Sequence, residues 1–410
     1  MDDRLGSDGR RRILFVAEAV TLAHVARPHV MANALGSESF DVLFASDPRY
    51  EGLFGDARYA RHPIRSIPSE RFFRSLAKGT PLYDFATLRD YVEEDLAVID
   101  AFRPDLIVGD FRLSLSVSAR LRSIPYVAIS NAYWSPQADL EMLAPELPLT
   151  RWLGYRVGGA VFRWGCPIGF AMHARPFHRL WRHYGLSPLG PDVREYYVDG
   201  DRVLFADLEP LIPLGTRPEH QDFIGPVLWS PEVARPDWWS EIQDRDGPIV
   251  YITLGSSGAA DALPQVVQAA ARFAGTVLVA TAGRGTSIPD AGNVFVADYL
   301  RGDEAAAISD VVICNGGSPS TYQALAAGRP VVGIPNNLDQ CLNMSAIRDA
   351  GCGQLLRVRE VSDLRMRASL EAATAPTSVE SASRIAAAIA NSRHDWRRSL
   401  GSMLPSAVTR

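Results

Sequence analysis

The chain has 410 residues, of which 47% are hydrophobic, and a formal net charge of −5. This length indicates two domains or one large domain with ordinary cores, and the nearly balanced charge argues against a nucleic-acid partner. No apolar run reaches the roughly 18 residues that a membrane-spanning helix needs.

Residues 1–11 are mostly charged and polar, and the apolar run behind them is only as long as a strand. They are interpreted as a disordered tail rather than a signal peptide, which predicts a cytoplasmic protein. The four cysteines show no metal-ligand spacing and are expected to be reduced thiols. Acidic tripeptides at 199–201 and 244–246 match a metal-binding pattern of a different fold, so no metal site is expected.

Strands and helices alternate along both halves of the chain. Short apolar runs predict buried parallel strands at 12–19, 40–46, 105–111, 125–130 and 201–207. Similar runs in the second half lie at 247–258, 276–283, 293–300, 310–317 and 330–335. Apolar residues at helical spacing predict helices at 24–36, 82–102 and 379–392. Repeated strand–helix units predict an α/β protein with doubly wound parallel sheets.

Two stretches depart from this alternation. Residues 131–197 carry many aromatic residues and arginines and contain no clean strand. A proline-rich stretch near 208–240 predicts a linker between two α/β halves.

Polar turns follow three predicted strands of the second half, where parallel α/β sheets bind ligands. The turn at 315–321 combines Gly316 and Gly317 with the hydroxyls of Ser320 and Thr321. Glycines let a phosphate approach the backbone, and the following helix offers free amides and its positive dipole end. A tight turn with a capped helix explains the same residues, so this turn alone leaves both interpretations open.

The other two turns add hydroxyl-binding groups. Asp339 and Gln340 follow the strand at 330–335, and this acid–amide pair suits sugar hydroxyls, although a polar helix start is the simpler alternative. Gly255 and Ser256 form another glycine–hydroxyl turn. Together the three turns favour a ligand that carries a diphosphate and hydroxyl groups.

In the first half, His24 stands just after the first strand, and Asp110 stands at the end of a neighbouring strand. A carboxylate beside an imidazole fixes its tautomer and stabilises its charged form, and such a pair can take a proton from a hydroxyl. A purely structural histidine is the alternative.

The stretch 314–344 resembles the donor-binding signature of the family 1 (UDP-glycosyltransferase-like) glycosyltransferases of the bacterial natural-product type. The signature's spacing is kept at Gly316, Gly317, Thr321, Ala324, Leu325, Gly328, Pro330, Pro335, Asp339 and Gln340. The resemblance spans both halves and implies the GT-B fold, with two facing Rossmann-like domains.

The resemblance also implies a domain plan. An acceptor-binding domain at 12–228 is followed by a linker at 229–246 and a nucleotide-sugar-binding domain at 247–385. A C-terminal helix within 386–410 is expected to pack back on the N-terminal domain.

The implied activity is inverting, metal-independent transfer of a sugar from a UDP- or dTDP-linked donor to a hydroxyl of a small apolar or aromatic acceptor. His24 is expected to be the general base and Asp110 its orienting partner. Expected donor contacts are Gly255, Ser256, Asn315, Gly316, Gly317, Ser320 and Thr321 for the diphosphate, Gln323 for the ribose, Asp339 and Gln340 for the sugar, and Asp298, Tyr299 and Leu300 for the base.

Four positions depart from the family pattern. Asn315 stands where a histidine usually touches the diphosphate. Pro319 replaces a glycine, Ser320 replaces a threonine, and Gln323 replaces a glutamate that usually holds the ribose. These changes keep two alternatives open: a non-catalytic homologue that acts as a partner or activator, and a nucleotide-sugar epimerase or nucleotide-binding protein on a similar fold.

The aromatic segment is expected to shape the acceptor site, with Tyr133, Trp134, Phe162 and Phe170 as contacts. Rings that only pack helices are one alternative. The other is a membrane-surface patch over 151–184, where rings alternate with arginines. The chain is expected to be a monomer or a homodimer.

Overall fold

The computed structural model describes residues 10–35, 40–242, 245–255, 257–392 and 396–404. Within them the chain forms two parallel β-sheets that are flanked by helices. Residues 1–9 of the predicted tail lie outside the described residues.

The first sheet is built from residues 11–223. Its strands are β1 (Arg11–Ala17), β2 (Phe40–Ser46), β3 (Ala60–Pro63), β4 (Leu106–Asp110), β5 (Tyr126–Ser130), β6 (Arg202–Phe205) and β7 (Gln221–Phe223). Its helices are α1 (Leu22–Leu35), α2 (Ser69–Lys78), α3 (Phe85–Phe102), α4 (Leu115–Arg122), α5 (Pro148–His183) and α6 (Val193–Tyr197). The strand order is β3-β2-β1-β4-β5-β6-β7, and all neighbours are parallel.

The second sheet repeats this plan. Its strands are β8 (Ile249–Thr253), β9 (Thr276–Ala280), β10 (Val294–Ala297), β11 (Val311–Cys314), β12 (Val331–Gly333) and β13 (Gly353–Leu355). The helices are α7 (Trp239–Ile242), α8 (Leu263–Ala271), α9 (Gly302–Ile308), α10 (Ser318–Ala326), α11 (Leu338–Asp349), α12 (Asp363–Ala373), α13 (Pro376–Asn391) and α14 (Trp396–Met403). The order is β10-β9-β8-β11-β12-β13, again parallel.

The predicted doubly wound α/β architecture is confirmed. Central strands are mainly apolar because helices cover both of their faces; Leu106, Ile107 and Val108 of β4 are completely buried. The edge strands β3, β7 and β13 were not predicted. They are only three or four residues long, and β3, with the sequence ARHP, is exposed throughout, so it lacks the apolar run on which the prediction depended.

The largest departure from the prediction is α5, a helix of 36 residues within the stretch that showed no clean pattern. It is kinked at Gly154, whose φ of 71° lies outside the helical region, and it contains Pro167 and Pro176. These interruptions obscured the helical spacing. The predicted linker near 208–240 is also more structured than expected, because it contains β7 and the start of α7.

The C-terminal helices pack on different halves. Helix α13 packs on α10 and α12 of the second half. Helix α14 packs on the first half: Leu400 is buried among residues of β1 and β2, and the Arg397 guanidinium donates to the Ala34 carbonyl at 3.1 Å. The chain therefore returns to the first sheet after residue 391.

None of the helices in the described residues has the length and apolar character needed to cross a bilayer.

Both sheets have a topological switch point, between β1 and β4 and between β8 and β11, where consecutive connections run to opposite sides. Ligands of such sheets bind beyond the carboxyl ends of these strands. His24 follows β1, Asp110 ends β4, Gly255 follows β8 and Asn315 follows β11. The two pairs of strand ends therefore position the candidate site.

Candidate active site

A cavity of about 790 Å³ lies between the two halves and is lined by residues of both. Its walls include most of the predicted site residues: His24, Asp110, Tyr133, Trp134, Phe162, Phe170, Gly255, Asp298, Tyr299, Leu300, Asn315, Gly317, Ser320, Gln323 and Asp339. Such a concave, mostly preformed space between domains is typical of a small-molecule site. Ser256 lies outside the described residues.

His24 and Asp110 are in direct contact. The Nδ1 atom of His24 lies 2.8 Å from Oδ1 of Asp110, which is fully buried at the end of β4. This bond favours the tautomer with a proton on Nδ1, which leaves Nε2 as the nitrogen that can accept a proton. Because the His24 ring lines the cavity, the arrangement suits proton transfer from a bound hydroxyl.

Arg27 is a third member of this cluster that the sequence analysis missed. Its Nε and Nη2 atoms donate to the two Asp110 oxygens at 2.9 and 2.8 Å, and Nη1 donates to Asn131 Oδ1 at 2.6 Å. This paired contact shares the carboxylate charge between Arg27 and His24. Asp110 is therefore held rigidly and is placed to orient the imidazole. The spacing from His24 to Arg27, one turn of α1, was the available signal.

Phe111 packs against one face of the His24 ring. The two rings are stacked, with centroids 4.4 Å apart and planes 9° from parallel. Phe111 was predicted to continue the strand, but β4 ends at Asp110, and Phe111 adopts a left-handed conformation with φ of 58°. A phenylalanine rarely adopts this conformation. Here it turns the ring toward His24.

On the donor side, Asn315 closes the glycine turn. Its Oδ1 accepts from the Gly317 amide at 3.0 Å, and its Nδ2 donates to Ser257 Oγ at 3.1 Å. The side chain thus joins the turn after β11 to the turn after β8. Gly316 has φ of 79°, and a Cβ there would lie 2.5 Å from the Met344 side chain, so only glycine fits without strain.

Three predicted donor contacts do not line the cavity: Gly316, Thr321 and Gln340. The Thr321 hydroxyl donates to the Gly317 carbonyl at 3.1 Å and accepts from Asn343 at 2.9 Å. Gln340 is 1% exposed, and its side chain bonds the Asn336 amide. These groups stabilise the turns from behind, which differs from the predicted direct contact with the donor. Spacing along the sequence does not show which way a side chain points.

Asp339 does reach the cavity, where it meets the other half. Its Oδ1 accepts from Nε1 of Trp134 at 2.7 Å. A residue predicted to grip the donor sugar is therefore bonded to one predicted to touch the acceptor. This contact fixes the two halves across the cavity at the level of the site.

Gln323 explains one departure from the family pattern. Its side-chain amide donates to the Trp229 carbonyl and, at 3.1 Å, to Ser230 Oγ. A glutamate could not donate to a carbonyl, so the amide suits this contact between α10 and the segment that precedes α7. Gln323 still lines the cavity, next to Gly302.

Arg284 is a cavity residue that the sequence analysis missed. It lies in the loop after β9, and its Nη1 donates to the Gly258 carbonyl at 2.8 Å, within the turn that packs on Asn315. Burial lowers the pKa of Arg284, yet a guanidinium stays charged in proteins. Tyr50, on the first half, lines the same cavity. In the sequence, the feature that could have identified Arg284 was its position between two glycines at 282–285, directly after a predicted strand.

The described residues contain no group of three or more His, Cys, Asp or Glu side chains arranged to hold a metal ion.

Comparison with known proteins identifies the family. Residues 249–396 match the glycosyltransferase family 28 C-terminal domain. The chain is 49% identical over 353 residues to a PGL/p-HBAD biosynthesis glycosyltransferase of Mycobacterium tuberculosis, covering 86% of this chain and 82% of that protein. It is 50% identical over 357 residues to a PGL/p-HBAD biosynthesis rhamnosyltransferase of Mycobacterium bovis, covering 87% and 79%. A third relative, 46% identical over 264 residues, is an inactive PGL/p-HBAD biosynthesis glycosyltransferase of the same species, covering 64% of this chain and 72% of that protein.

Solved structures agree with this result at the level of the fold. The glycotransferase of kitacinnamycin superposes with a TM-score of 0.69 at 19% identity, over 97% of this chain and all of that one. A glycosyltransferase of Streptomyces sp. SF2575, complexed with thymidine diphosphate, gives 0.63 at 18% identity, over 96% and 100%. The predicted GT-B fold is confirmed. The chain belongs to the family 1-like glycosyltransferases of this fold.

Proposed function

We propose that the protein is an inverting glycosyltransferase that moves a sugar from a nucleoside diphosphate sugar to a hydroxyl of an apolar or aromatic acceptor. One observation carries the proposal: the His24–Asp110 pair and the glycine turn at Asn315 line the same cavity from opposite halves. A base on one side and a phosphate-binding turn on the other are the two elements that displacement at a sugar carbon requires.

On the acceptor side, His24 Nε2 takes the proton from the acceptor hydroxyl. The oxygen forms a bond to the anomeric carbon while the bond from that carbon to the diphosphate oxygen breaks on the opposite face. The electron pair of the broken bond stays on the diphosphate, and the configuration at the anomeric carbon inverts. Tyr133, Trp134, Phe162 and Phe170, which line the cavity, suit an apolar or aromatic acceptor.

On the donor side, the N-terminus of α10 meets the departing diphosphate with its helix dipole and the polar residues Ser318 and Ser320. Asn315 contributes a side-chain amide but no charge. Arg284 supplies the positive charge that the family usually takes from a histidine at position 315. A guanidinium in a partly buried cavity stabilises developing phosphate charge strongly.

The donor is proposed to be UDP- or dTDP-linked. The structural neighbour bound to thymidine diphosphate favours dTDP, and the relative named as a rhamnosyltransferase favours rhamnose. Both are proposals for this chain.

The test is a panel of UDP- and dTDP-sugars with alkylphenol acceptors of increasing chain length. We expect release of nucleoside diphosphate together with a glycoside whose anomeric configuration, measured by NMR, is opposite to that of the donor. Retention of configuration would contradict the mechanism. Stabilisation by nucleoside diphosphates without turnover on any pair would favour the non-catalytic alternative instead.

That alternative has some support, since one relative is named inactive and the side-chain amides of Asn315 and Gln323 are engaged within the protein. The intact contact between His24 and Asp110 argues against it. An epimerase has less support, because such an enzyme needs no acceptor site between the halves.

A further inference from the structure

The outer face of α5 is unusually apolar for an exposed helix. Trp152 is 89% exposed and Trp164 is 79% exposed. Seven large hydrophobic side chains of α5 are exposed, against five in all other described parts of the chain: Trp152, Leu153, Val157, Val161, Trp164, Ile168 and Met172. We call these seven residues the α5 stripe. An exposed patch of this kind marks an interaction surface.

The α5 stripe follows the helical repeat. After the kink at Gly154, its members recur every three or four residues from Val157 to Met172, so they lie along one side of the helix. Helix α5 also buries a different face, where Ala174, Phe177 and Leu180 pack in the core of the first half. The exposed rings are therefore not needed to hold the helix in place.

The charged side chains of α5 are basic, with no acidic residue to balance them. Its 36 residues include six arginines and no aspartate or glutamate, in a chain whose net charge is −5. All six arginines are exposed. Among the described residues, only Arg163 of the six has a carboxylate within salt-bridge distance, Glu141 at 3.7 Å. An apolar stripe flanked by unneutralised arginines is complementary to an anionic lipid surface, where each basic residue adds about fivefold to affinity.

The α5 stripe is continuous with the candidate active site. Val161 and Trp164 belong to the α5 stripe and also line the cavity, beside Phe162 and Phe170 of the same helix. One helix therefore forms both an exposed apolar surface and the apolar wall of the cavity. This continuity suits an acceptor that carries an apolar tail.

We propose that α5 docks on the surface of an anionic lipid bilayer, with the α5 stripe in the interface, and that the acceptor enters the cavity from this surface. The second part rests on the proposed function, whereas the docking does not. The partner is a bilayer rather than a second copy of the chain, because a two-fold contact between copies would bring two arginine-rich helices together.

The experiment measures cosedimentation of the full chain with vesicles of phosphatidylcholine alone and of phosphatidylcholine mixed with phosphatidylglycerol. The test variant is Trp152→Ser with Ile168→Ser, two exposed positions that do not line the cavity. The matched control is Leu364→Ser on α12, which is 78% exposed and lies outside the α5 stripe. We expect binding to the mixed vesicles only, weakened by salt and reduced at least about tenfold in the double variant but not in the control.

A second variant, Arg156→Glu with Arg175→Glu, should reduce binding to mixed vesicles while leaving the apolar residues intact. Activity on a water-soluble phenol should be unchanged in both variants, and activity on an acceptor embedded in vesicles should fall.

Absence of vesicle binding by the wild-type chain, or equal loss in the Leu364→Ser control, would overturn the docking. If the wild-type chain is a dimer and the variant Trp152→Ser with Ile168→Ser is a monomer, the α5 stripe is a protein–protein contact instead. Normal docking without any transfer would count against the proposed function alone.

Discussion

At the scale of single residues, His24 is defined by its contacts. Asp110 holds its Nδ1 at 2.8 Å, and Phe111 stacks on the ring. A histidine held by both a carboxylate and a ring plane, at a cavity wall, is positioned rather than merely buried. This positioning is what a general base requires, and we predict that role for His24.

We expect His24→Ala to lower the transfer rate by roughly 100- to 10,000-fold, the usual effect of losing a general base. Binding of the nucleoside diphosphate should stay nearly intact, because the donor turns belong to the other half. Steady-state kinetics and calorimetry measure the two quantities separately. Turnover within a few-fold of wild type would show that another group takes the proton.

Asn315 leads to a second prediction. In Asn315→His, the ring Nδ1 can replace Oδ1 as acceptor for the Gly317 amide, while Nε2 donates toward the diphosphate. We therefore expect the affinity for nucleoside diphosphate to equal or exceed that of wild type. Asn315→Ala, which loses both bonds, should bind about tenfold more weakly. A large loss in Asn315→His would mean that the close packing against Gly258 tolerates no ring.

At the scale of elements, Asp207 joins the two halves. It follows β6, accepts from the Ala132 amide and Asn131, and accepts from the Tyr322 hydroxyl of α10 at 3.2 Å. Burial raises the pKa of Asp207 from 3.8 to about 6. The folded protein thus holds this proton more tightly than the unfolded chain, so stability from Asp207 falls as pH rises through this window.

Asp207→Asn cannot titrate. We therefore expect the free energy of unfolding of wild type, relative to this variant, to fall by about 2 kcal/mol between pH 4 and pH 6 and to level off above about pH 7. Urea unfolding at several pH values measures this difference. A difference that rises with pH, or does not change, would contradict the raised pKa.

At the scale of the whole molecule, the cavity between the halves has positive charge on the wall that the second half forms. The α10 N-terminus and Arg284 lie on the cavity wall. We expect transfer activity to survive EDTA, since a helix N-terminus and a guanidinium can carry phosphate charge unaided. The assay compares initial rates with EDTA and with added magnesium. Strict dependence on magnesium or manganese would refute this prediction.

The sequence by itself determined the alternation of central strands with helices and the residue types at the ends of those strands. Apolar runs and glycine turns are local features, so they can be read without a fold. The donor signature was recognisable at 314–344 because its spacing is kept along the chain. The bond between His24 and Asp110, 86 residues apart, was expected from two strand ends alone.

Only the tertiary structure decided which of these side chains face the cavity. Thr321 and Gln340 match the signature in sequence but point into the protein, while Arg27 and Arg284 line the cavity although neither belongs to the signature. The physical reason is that side-chain direction and pairing depend on what packs behind each turn. Tertiary packing also determines that helix α5 forms. Its glycines and prolines weaken the local helical signal, whereas the packing of Phe177 and Leu180 on the first half stabilises the helix.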